Sequence, residues 1–295
     1  MRYYPAEQAA PDAPLLAAVR FGSTRALCDA PLAIDVALEP LAGSPAVEAW
    51  LAAGPVHSGR SGRVRYAHDD ERLFAALEVD EADLGGARTA AASVYSEMQR
   101  FQQACDFRYL LRMWNYLDAI NDGPGDLERY REFCVGRAQG MAAYTAERFP
   151  AATAIGRQRP TGSLQVFWLA SRTEGAPVEN PRQVSAYRYP RVHGPVSPSF
   201  ARATVDAAGS VLISGTASIV GHVSQHPGDP LAQLEETIRN LDALAAHAHT
   251  LPSQERQALK VYVRDPAHAA AIEQRLRAIY PRGELMMLAA DICRR

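Results

Sequence analysis

The sequence predicts an α/β fold made of two tandem units, each a mixed sheet packed against two helices. Two amphipathic helices, one in each half of the chain, have apolar residues with the same spacing i, i+4, i+7 and i+11, which places one stripe on one helix face. Runs rich in β-branched and aromatic residues, typical of strands, alternate with helices in a similar order in both halves. The two stripes are Val94, Met98, Phe101, Cys105 and Leu234, Ile238, Leu241, Ala245.

The first half contains one such unit and an extension before it. The helix that carries the first stripe has strand-like sequence on both sides. The extension, over positions 1–70, predicts extra strands or an irregular segment whose order the pattern leaves open. The predicted elements of the unit are strand 74–81, helix 87–105, strand 107–117, helix 126–141 and strand 163–172.

The second half repeats this order with clearer helix signals. Asp229 and Pro230 precede its first helix, as an N-cap residue followed by proline in the first turn. The predicted elements are strands 201–207 and 210–220, helix 230–248, strand 258–265, helix 267–280 and strand 284–293. A Pro-, Gly- and Asn-rich stretch over 173–183 separates the halves. We therefore predict domains over 1–175 and 176–295, the second carrying most of the active site.

Composition narrows the classes of function. A net charge of -2 without basic clusters argues against a nucleic-acid partner. No run approaches the ~20 apolar residues of a membrane span, and the N-terminus lacks a signal-peptide pattern. Four scattered cysteines without a CxxC pair indicate free thiols in a cytoplasmic protein. His222 and His226 have no third ligand nearby and no nucleotide-binding glycine motif occurs, so we expect neither metal nor cofactor.

Two resemblances appear in the second half. The segments ISGTASI (213–219), QLEETIRNLDAL (233–244) and VYVRDP (261–266) are similar to the YjgF/RidA family, whose members usually form trimers with small-molecule sites at the interfaces. The longer run over 178–203, with ISGTASIVGH (213–222) and ADICRR (290–295), resembles the chorismatase family. The first half would then be a degenerate YjgF-like domain, and the protein either a homo-oligomer such as a trimer or a monomer with internal duplication.

The chorismatase resemblance implies an enzyme that removes pyruvate from chorismate and leaves 3- or 4-hydroxybenzoate. Chorismate is a dianion, so its site needs cationic or hydroxyl donors at both ends, and arginine can donate to a carboxylate through two bonds. Cleavage of the ether needs a general acid that protonates the exocyclic methylene carbon. The resemblance implies that this acid is a glutamate following the ICR segment, beyond Arg295.

Several side chains are candidates for holding the dianion. Tyr187 and Tyr189 would share one face of an extended segment, since strand side chains alternate. Arg202 follows Phe200 at i+2 and would face the same pocket. Ordinary structural roles remain equally open for all of these residues. The further candidates for substrate binding are Thr216, Arg264 and Arg282.

Gly215 and Cys293 are the residues that bear on the product. A glycine within a strand suggests close approach of a ligand, although a bulge is an equal alternative. Cys293 has no neighbouring histidine that would lower its pKa, and a thiol is most often a small apolar side chain. The resemblance implies that glycine with cysteine at these positions belongs to the hydroxybenzoate-forming branch.

Three other functions remain open from the sequence. The chain would hydrolyse chorismate to a dihydroxycyclohexadiene carboxylate if water reached the reacting carbon. It would be an imine or enamine deaminase if it followed the usual YjgF/RidA activity, with an arginine on the substrate carboxylate and a bound water. It would be a non-catalytic metabolite-binding protein if no proton donor were present.

Overall fold

A computed structural model describes residues 1–5, 13–22, 30–41, 43–248 and 257–294. Its helices are α1 Ala87–Ala104, α2 Arg129–Gly140, α3 Pro230–His247 and α4 Ala269–Ile279. Its strands are β1 Arg2–Tyr4, β2 Leu15–Phe21, β3 Ala33–Val36, β4 Val47–Leu51, β5 His57–Ser61, β6 Val64–His68, β7 Arg72–Asp80, β8 Tyr109–Asp118, β9 Ala151–Arg157, β10 Ser163–Ser171, β11 Ala176–Val178, β12 Ala203–Val205, β13 Val211–Ile213, β14 Ile219–Val220, β15 Val223–Ser224, β16 Ala258–Val263, β17 Glu284–Ala289 and β18 Asp291–Ile292. The fold is mixed α/β, as predicted.

A seven-stranded sheet in the order β18-β9-β8-β10-β7-β6-β5 forms the centre of the molecule. Helices α1 and α2 cover one face, where Val94 and Met98 of the predicted stripe are fully buried. The two helices approach closely because α2 has glycine at the contact. A Cβ atom on Gly136 would collide with the backbone oxygen of Arg88, so no larger residue fits there.

The N-terminal extension covers the opposite face of this sheet. Its described residues form a four-stranded sheet in the order β1-β4-β2-β3, and a hairpin of β5 and β6 that extends the central sheet. Side chains alternate along β7, so Leu73 and Leu77 face the helices while Phe74 packs against the N-terminal sheet with Trp50. The extension, whose order of elements the sequence pattern left open, therefore forms the core on the second face of the central sheet.

The C-terminal half contains smaller sheets. Strands β11, β12 and β13 form one of them, and β16 pairs with β17 in parallel. The Asp229 side chain caps α3 by accepting a hydrogen bond of 3.0 Å from the backbone of Ala232, as predicted. Of the four residues in the apolar stripe of α3, Ile238 is the one that is buried. The buried face of this helix is shifted from the predicted stripe and also includes Glu236 and Asn240.

Three strand predictions need correction. The strand predicted over 210–220 is divided into β13 and the two-residue β14, because the backbone nitrogens of Ser214 and Gly215 donate to Arg202 and Ala152 instead of continuing the β13 pairing. The strand predicted over 284–293 is divided into β17 and β18, and β18 crosses to pair with β9 of the central sheet. Strand β9 itself was not predicted, because its alanine- and glycine-rich sequence has weak strand propensity.

The predicted duplication has matching connections in both halves. Helix α2 links the parallel pair β8 and β9, and helix α4 links the parallel pair β16 and β17. An antiparallel pair precedes each unit, β6 with β7 and β12 with β13. The duplication and the domain division remain predictions. We expect residues 74–172 to superpose on residues 203–293 in an experimental structure. Failure to superpose would contradict the repeated unit, and superposition of the helices alone would be a partial failure.

The described residues include no helix that is long and apolar enough to cross a membrane.

Candidate active site

The segment after the linker lies beside β9 of the central sheet. The backbone of Gly215 donates to the oxygen of Ala152 at 3.1 Å, and the Ser214 hydroxyl accepts from the nitrogen of Ala152 at 2.8 Å. The nitrogen of Ser214 in turn donates to the oxygen of Arg202 at 2.9 Å. These bonds bring Arg202, Gly215 and β9 together, although they are far apart in sequence.

Arg202 is a buried cation of this region, as are Arg112 and Arg137. Its side chain lies between the rings of Phe200 and Tyr189, with its guanidinium carbon 5.3 and 5.5 Å from the two ring centres, and the residue is only 4% exposed. Its Nη2 donates to the Tyr189 hydroxyl and to the oxygen of Val184, both at 2.8 Å. Its Nε is buried without a hydrogen-bond partner. Arg202 forms no salt bridge among the described residues, although its charge acts on the neighbouring carboxyl group of Glu179.

The segment that follows β18 packs over Tyr189. The guanidinium carbon of Arg294 lies 4.8 Å from the centre of the Tyr189 ring, and its Nη1 donates to the oxygen of His222 at 2.7 Å. Arg264 holds the same segment from the side, donating to Asp291 at 3.2 Å and to the oxygen of Arg294 at 2.6 Å. The structure thus gives Arg264 a role in fixing the backbone around Cys293. Substrate contact by Arg264 remains a prediction.

Cys293 is half-buried and packs against the helix-side core. Burial raises the pKa of its thiol above the ordinary value, although a hydrogen bond with Tyr130 opposes the shift. The thiol is therefore protonated at neutral pH, because the thiolate would need a lowered pKa. A neutral thiol is suited to lining the substrate site and not to acting as a nucleophile.

Two histidines meet near Tyr189. The Nε2 of His193 and the Nδ1 of His222 are 3.0 Å apart, and the His193 ring centre is 5.2 Å from that of Tyr189. Burial lowers the pKa of His193, and the charge of Arg294 adds to the shift, so this ring is neutral at pH 7. Since the backbone oxygen of His222 accepts from Arg294, His222 links His193 to the segment that follows β18. His226 faces Glu236 at 3.7 Å instead.

The two tyrosines do not share a face. Residues Ala186–Arg188 form a 3₁₀ turn, so the prediction of an extended segment is wrong. The Tyr189 hydroxyl faces Arg202, whereas the Tyr187 ring packs against Phe149 with 5.9 Å between ring centres. The alternation of an extended chain does not apply to a 3₁₀ turn, which rotates successive side chains by about 120°.

Thr216 and Arg282 are the remaining predicted residues. The Thr216 hydroxyl donates to the oxygen of Ser214 at 3.0 Å, which keeps it beside Gly215. Arg282 is exposed in the turn between α4 and β17. A cavity of about 400 Å³ lies elsewhere, beyond Phe149 between the end of α1 and the Tyr144 segment, and none of the predicted residues lines it.

Glu179 is a residue of this region that sequence reasoning missed. It directly follows β11, which pairs with β12 so that Val178 lies opposite Ala203 and Glu179 comes beside Arg202. Burial raises the pKa of the Glu179 carboxyl. A hydrogen bond from the Ser185 hydroxyl and the positive charge of Arg202 oppose this shift. A single acid in a linker carries no periodic signal. Its position in the run over 178–203, which resembles the chorismatase family, is the one sequence feature that indicates a functional role for Glu179.

Comparison with known proteins shows which family this chain resembles in sequence and fold. Residues 48–170 match the family model described as Chorismatase FkbO/Hyg5-like, N-terminal. The chain is 35% identical over 272 residues to a 3-hydroxybenzoate synthase of Streptomyces hygroscopicus, covering 85% of this chain and 78% of that protein. It is 38% identical over 203 residues to a chorismatase of Streptomyces rapamycinicus, covering 66% of this chain and 60% of that protein.

A solved structure extends the likeness to the whole fold. A chorismatase crystal structure, 29% identical in sequence, matches with a TM-score of 0.84 over 99% of this chain and 94% of its own. The chain belongs to the chorismatase family. The family resemblance predicted from residues 178–203 and the C-terminal segment is therefore confirmed.

Proposed function

We propose that this protein acts on chorismate, releasing pyruvate and leaving 3- or 4-hydroxybenzoate. The observation that carries the proposal is Arg202, a buried guanidinium without an ion-pair partner among the described residues. The unused Nε donor of this guanidinium is suited to a carboxylate ligand, because arginine forms strong charge-assisted hydrogen bonds with carboxylates. Relatives named 3-hydroxybenzoate synthase and chorismatase support the identity of that ligand.

The surrounding residues have separate roles in this proposal. Arg202 and the Tyr189 hydroxyl bind one carboxylate of the dianion, and the Cys293 thiol and Gly215 border the ring without charge. Protonation of the enolpyruvyl methylene carbon makes an oxocarbenium ion. The ether bond to the ring then breaks with its electron pair going to oxygen, pyruvate leaves, and the ring cation loses a proton to become the aromatic hydroxybenzoate. The proton donor is the glutamate that the family resemblance implies. The sequence-based roles of Tyr187, Thr216, Arg264 and Arg282 in binding stay part of the proposal.

The direct test is incubation with chorismate, with pyruvate measured by a coupled dehydrogenase and the ring product identified by chromatography. We expect hydroxybenzoate and pyruvate in equal amounts. Diol with pyruvate would instead assign the hydrolytic reaction. Chorismate binding without any pyruvate would favour a metabolite-binding protein. Turnover of an imine or enamine substrate, with chorismate left intact, would favour a deaminase.

The product outcome is expected to depend on Gly215. A Cβ atom at this position would lie 3.1 Å from Cγ2 and 3.3 Å from Oγ1 of Thr153, so alanine fits with a shift of a few tenths of an ångström. The added methyl group reduces the space between this backbone segment and the ring of the substrate. A difference of about 1.4 kcal/mol between two barriers changes the product ratio tenfold. We therefore expect Gly215→Ala to move the products from hydroxybenzoate toward the diol.

Chromatography of the wild type and of Gly215→Ala side by side checks this expectation. Ser210→Ala, in the exposed turn before β13, is the matched control and should keep the wild-type ratio. An unchanged ratio in Gly215→Ala with normal pyruvate release would show that Gly215 does not steer the product. Diol as the main wild-type product would contradict the assignment to the hydroxybenzoate-forming branch.

A further inference from the structure

Two buried polar atoms of opposite character lie in neighbouring side chains of the candidate site. Oε2 of Glu179 is an acceptor without a hydrogen-bond partner, and Nε of Arg202 is a donor without one. Leaving a buried polar group unsatisfied is unfavourable, and such groups are uncommon in folded proteins. Two complementary ones in the same place therefore indicate a ligand that offers both an acceptor and a donor.

The two groups are neighbours, and each has another polar atom in use. The pairing of β11 with β12 places Glu179 beside Arg202, but no ion pair joins them in the described residues. The Nη2 donor of Arg202 is used by Tyr189 and Val184. Burial raises the pKa of the Glu179 carboxyl, although hydrogen bonds from the Ser185 hydroxyl and the Arg202 backbone and the positive charge of Arg202 favour its ionised form. The unused Nε and Oε2 are what remains for a ligand.

We propose that Glu179 is a substrate-binding residue whose Oε2 accepts a hydrogen bond from the ring hydroxyl of chorismate, while Nε of Arg202 donates to a carboxylate of the same molecule. This inference rests on the proposed function. The dianion has two carboxylates, which only accept hydrogen bonds, and one hydroxyl, which is its single donor. An acceptor in the site is therefore satisfied by that hydroxyl and by no other group of the substrate.

The arrangement predicts selectivity for the hydroxyl. A site built to bond a substrate hydroxyl discriminates strongly against an analogue that lacks it, because its own polar group is then left unpaired. Two stable ligands provide the comparison, a benzoate with a 3-enolpyruvyl ether and the same compound with a 4-hydroxyl. We expect wild-type protein to bind the hydroxylated compound about 10- to 100-fold more tightly in calorimetry.

Variants of Glu179 test whether this residue is the origin of the selectivity. Glu179→Met removes the acceptor and should reduce the preference to less than about threefold. Glu179→Gln keeps an acceptor oxygen and should retain part of it. Glu174→Gln is the matched control, since Glu174 is exposed and pairs with Arg148 at 3.6 Å, and it should keep the full preference.

The outcomes separate this inference from the function on which it rests. Equal binding of both compounds by the wild type would overturn the role of Glu179 even if chorismate is turned over, and needs no variant to fold. Equal weakening of both compounds in Glu179→Met, with the preference kept, would show a structural role only. Binding of neither compound and no turnover of chorismate would refute the proposed function itself.

Discussion

Arg202→Met is expected to lower kcat/KM for chorismate about 30- to 5,000-fold. The range corresponds to the roughly 2–5 kcal/mol that is lost when one partner of a buried charge pair is removed. Methionine retains much of the volume between Phe200 and Tyr189, so the change removes mainly the charge and the donors. Pyruvate release measured over a range of chorismate concentrations gives the effect, and calorimetry with a stable analogue shows how much of it is binding.

Two further variants make this result specific. Arg202→Lys keeps the charge but loses the planar set of donors, so an intermediate effect is expected. Arg188→Met is the control, because Arg188 is exposed on the neighbouring 3₁₀ turn and lies 5.7 Å from the Tyr187 ring centre. Activity of Arg202→Met within threefold of wild type would exclude Arg202 as a substrate ligand. If Arg202→Met does not fold, the lysine variant decides.

Lys260→Met is expected to destabilise the protein by about 3–5 kcal/mol. Lys260 pairs with Glu48 where the N-terminal sheet meets β16, and the two side chains are 9% and 1% exposed. Trp50 also donates to Glu48 at 3.0 Å, and the Lys260 ammonium lies 5.1 Å from the Phe21 ring centre. Removing the lysine leaves a carboxylate buried without its counter-ion, which is the costly case. Urea unfolding measures the change in free energy.

The pair is tested further by a double variant and an exposed control. Glu48→Leu combined with Lys260→Met should be less destabilised than the sum of the single changes, since neither charge is left alone. Arg275→Met breaks an exposed pair with Glu235 and should leave the urea midpoint close to that of the wild type. Additive effects of Glu48→Leu and Lys260→Met would show that the pair is not coupled, and the N-terminal sheet would then be held by apolar packing alone.

A strong periodic spacing of apolar residues was sufficient to predict the long helices and strands. Helices α1 and α4 and strands β7 and β10 lie within about two residues of their predicted positions, because each buries a regular face against the core. Strand β9 was missed since its conformation depends on pairing with β8 and β18 rather than on its own side chains. The same holds for the short strand β11, whereas its partner β12 lies within the strand predicted over 201–207.

The residues of the candidate site also differ in whether a local sequence pattern predicts them. Arg202, Tyr189, Gly215 and Cys293 were predicted from the resemblance of local segments, and the family that those segments indicated is confirmed. Glu179 was missed and the relation of Tyr187 to Tyr189 was wrong, because neither follows from a local pattern. The position of Glu179 depends on the pairing of β11 with β12, and that of Tyr187 on a 3₁₀ turn.

The sequence by itself determined the α/β class, the order of the main elements, the cap of α3 and the family. These depend on residue type and on spacing along the chain, which are properties of short segments. Only the tertiary structure decided that the N-terminal extension covers the second face of the central sheet, that β18 joins this sheet and that Lys260 reaches Glu48. It also left Nε of Arg202 and Oε2 of Glu179 without partners. Burial and hydrogen-bond satisfaction are set by segments that meet from distant parts of the chain, so no local pattern contains them.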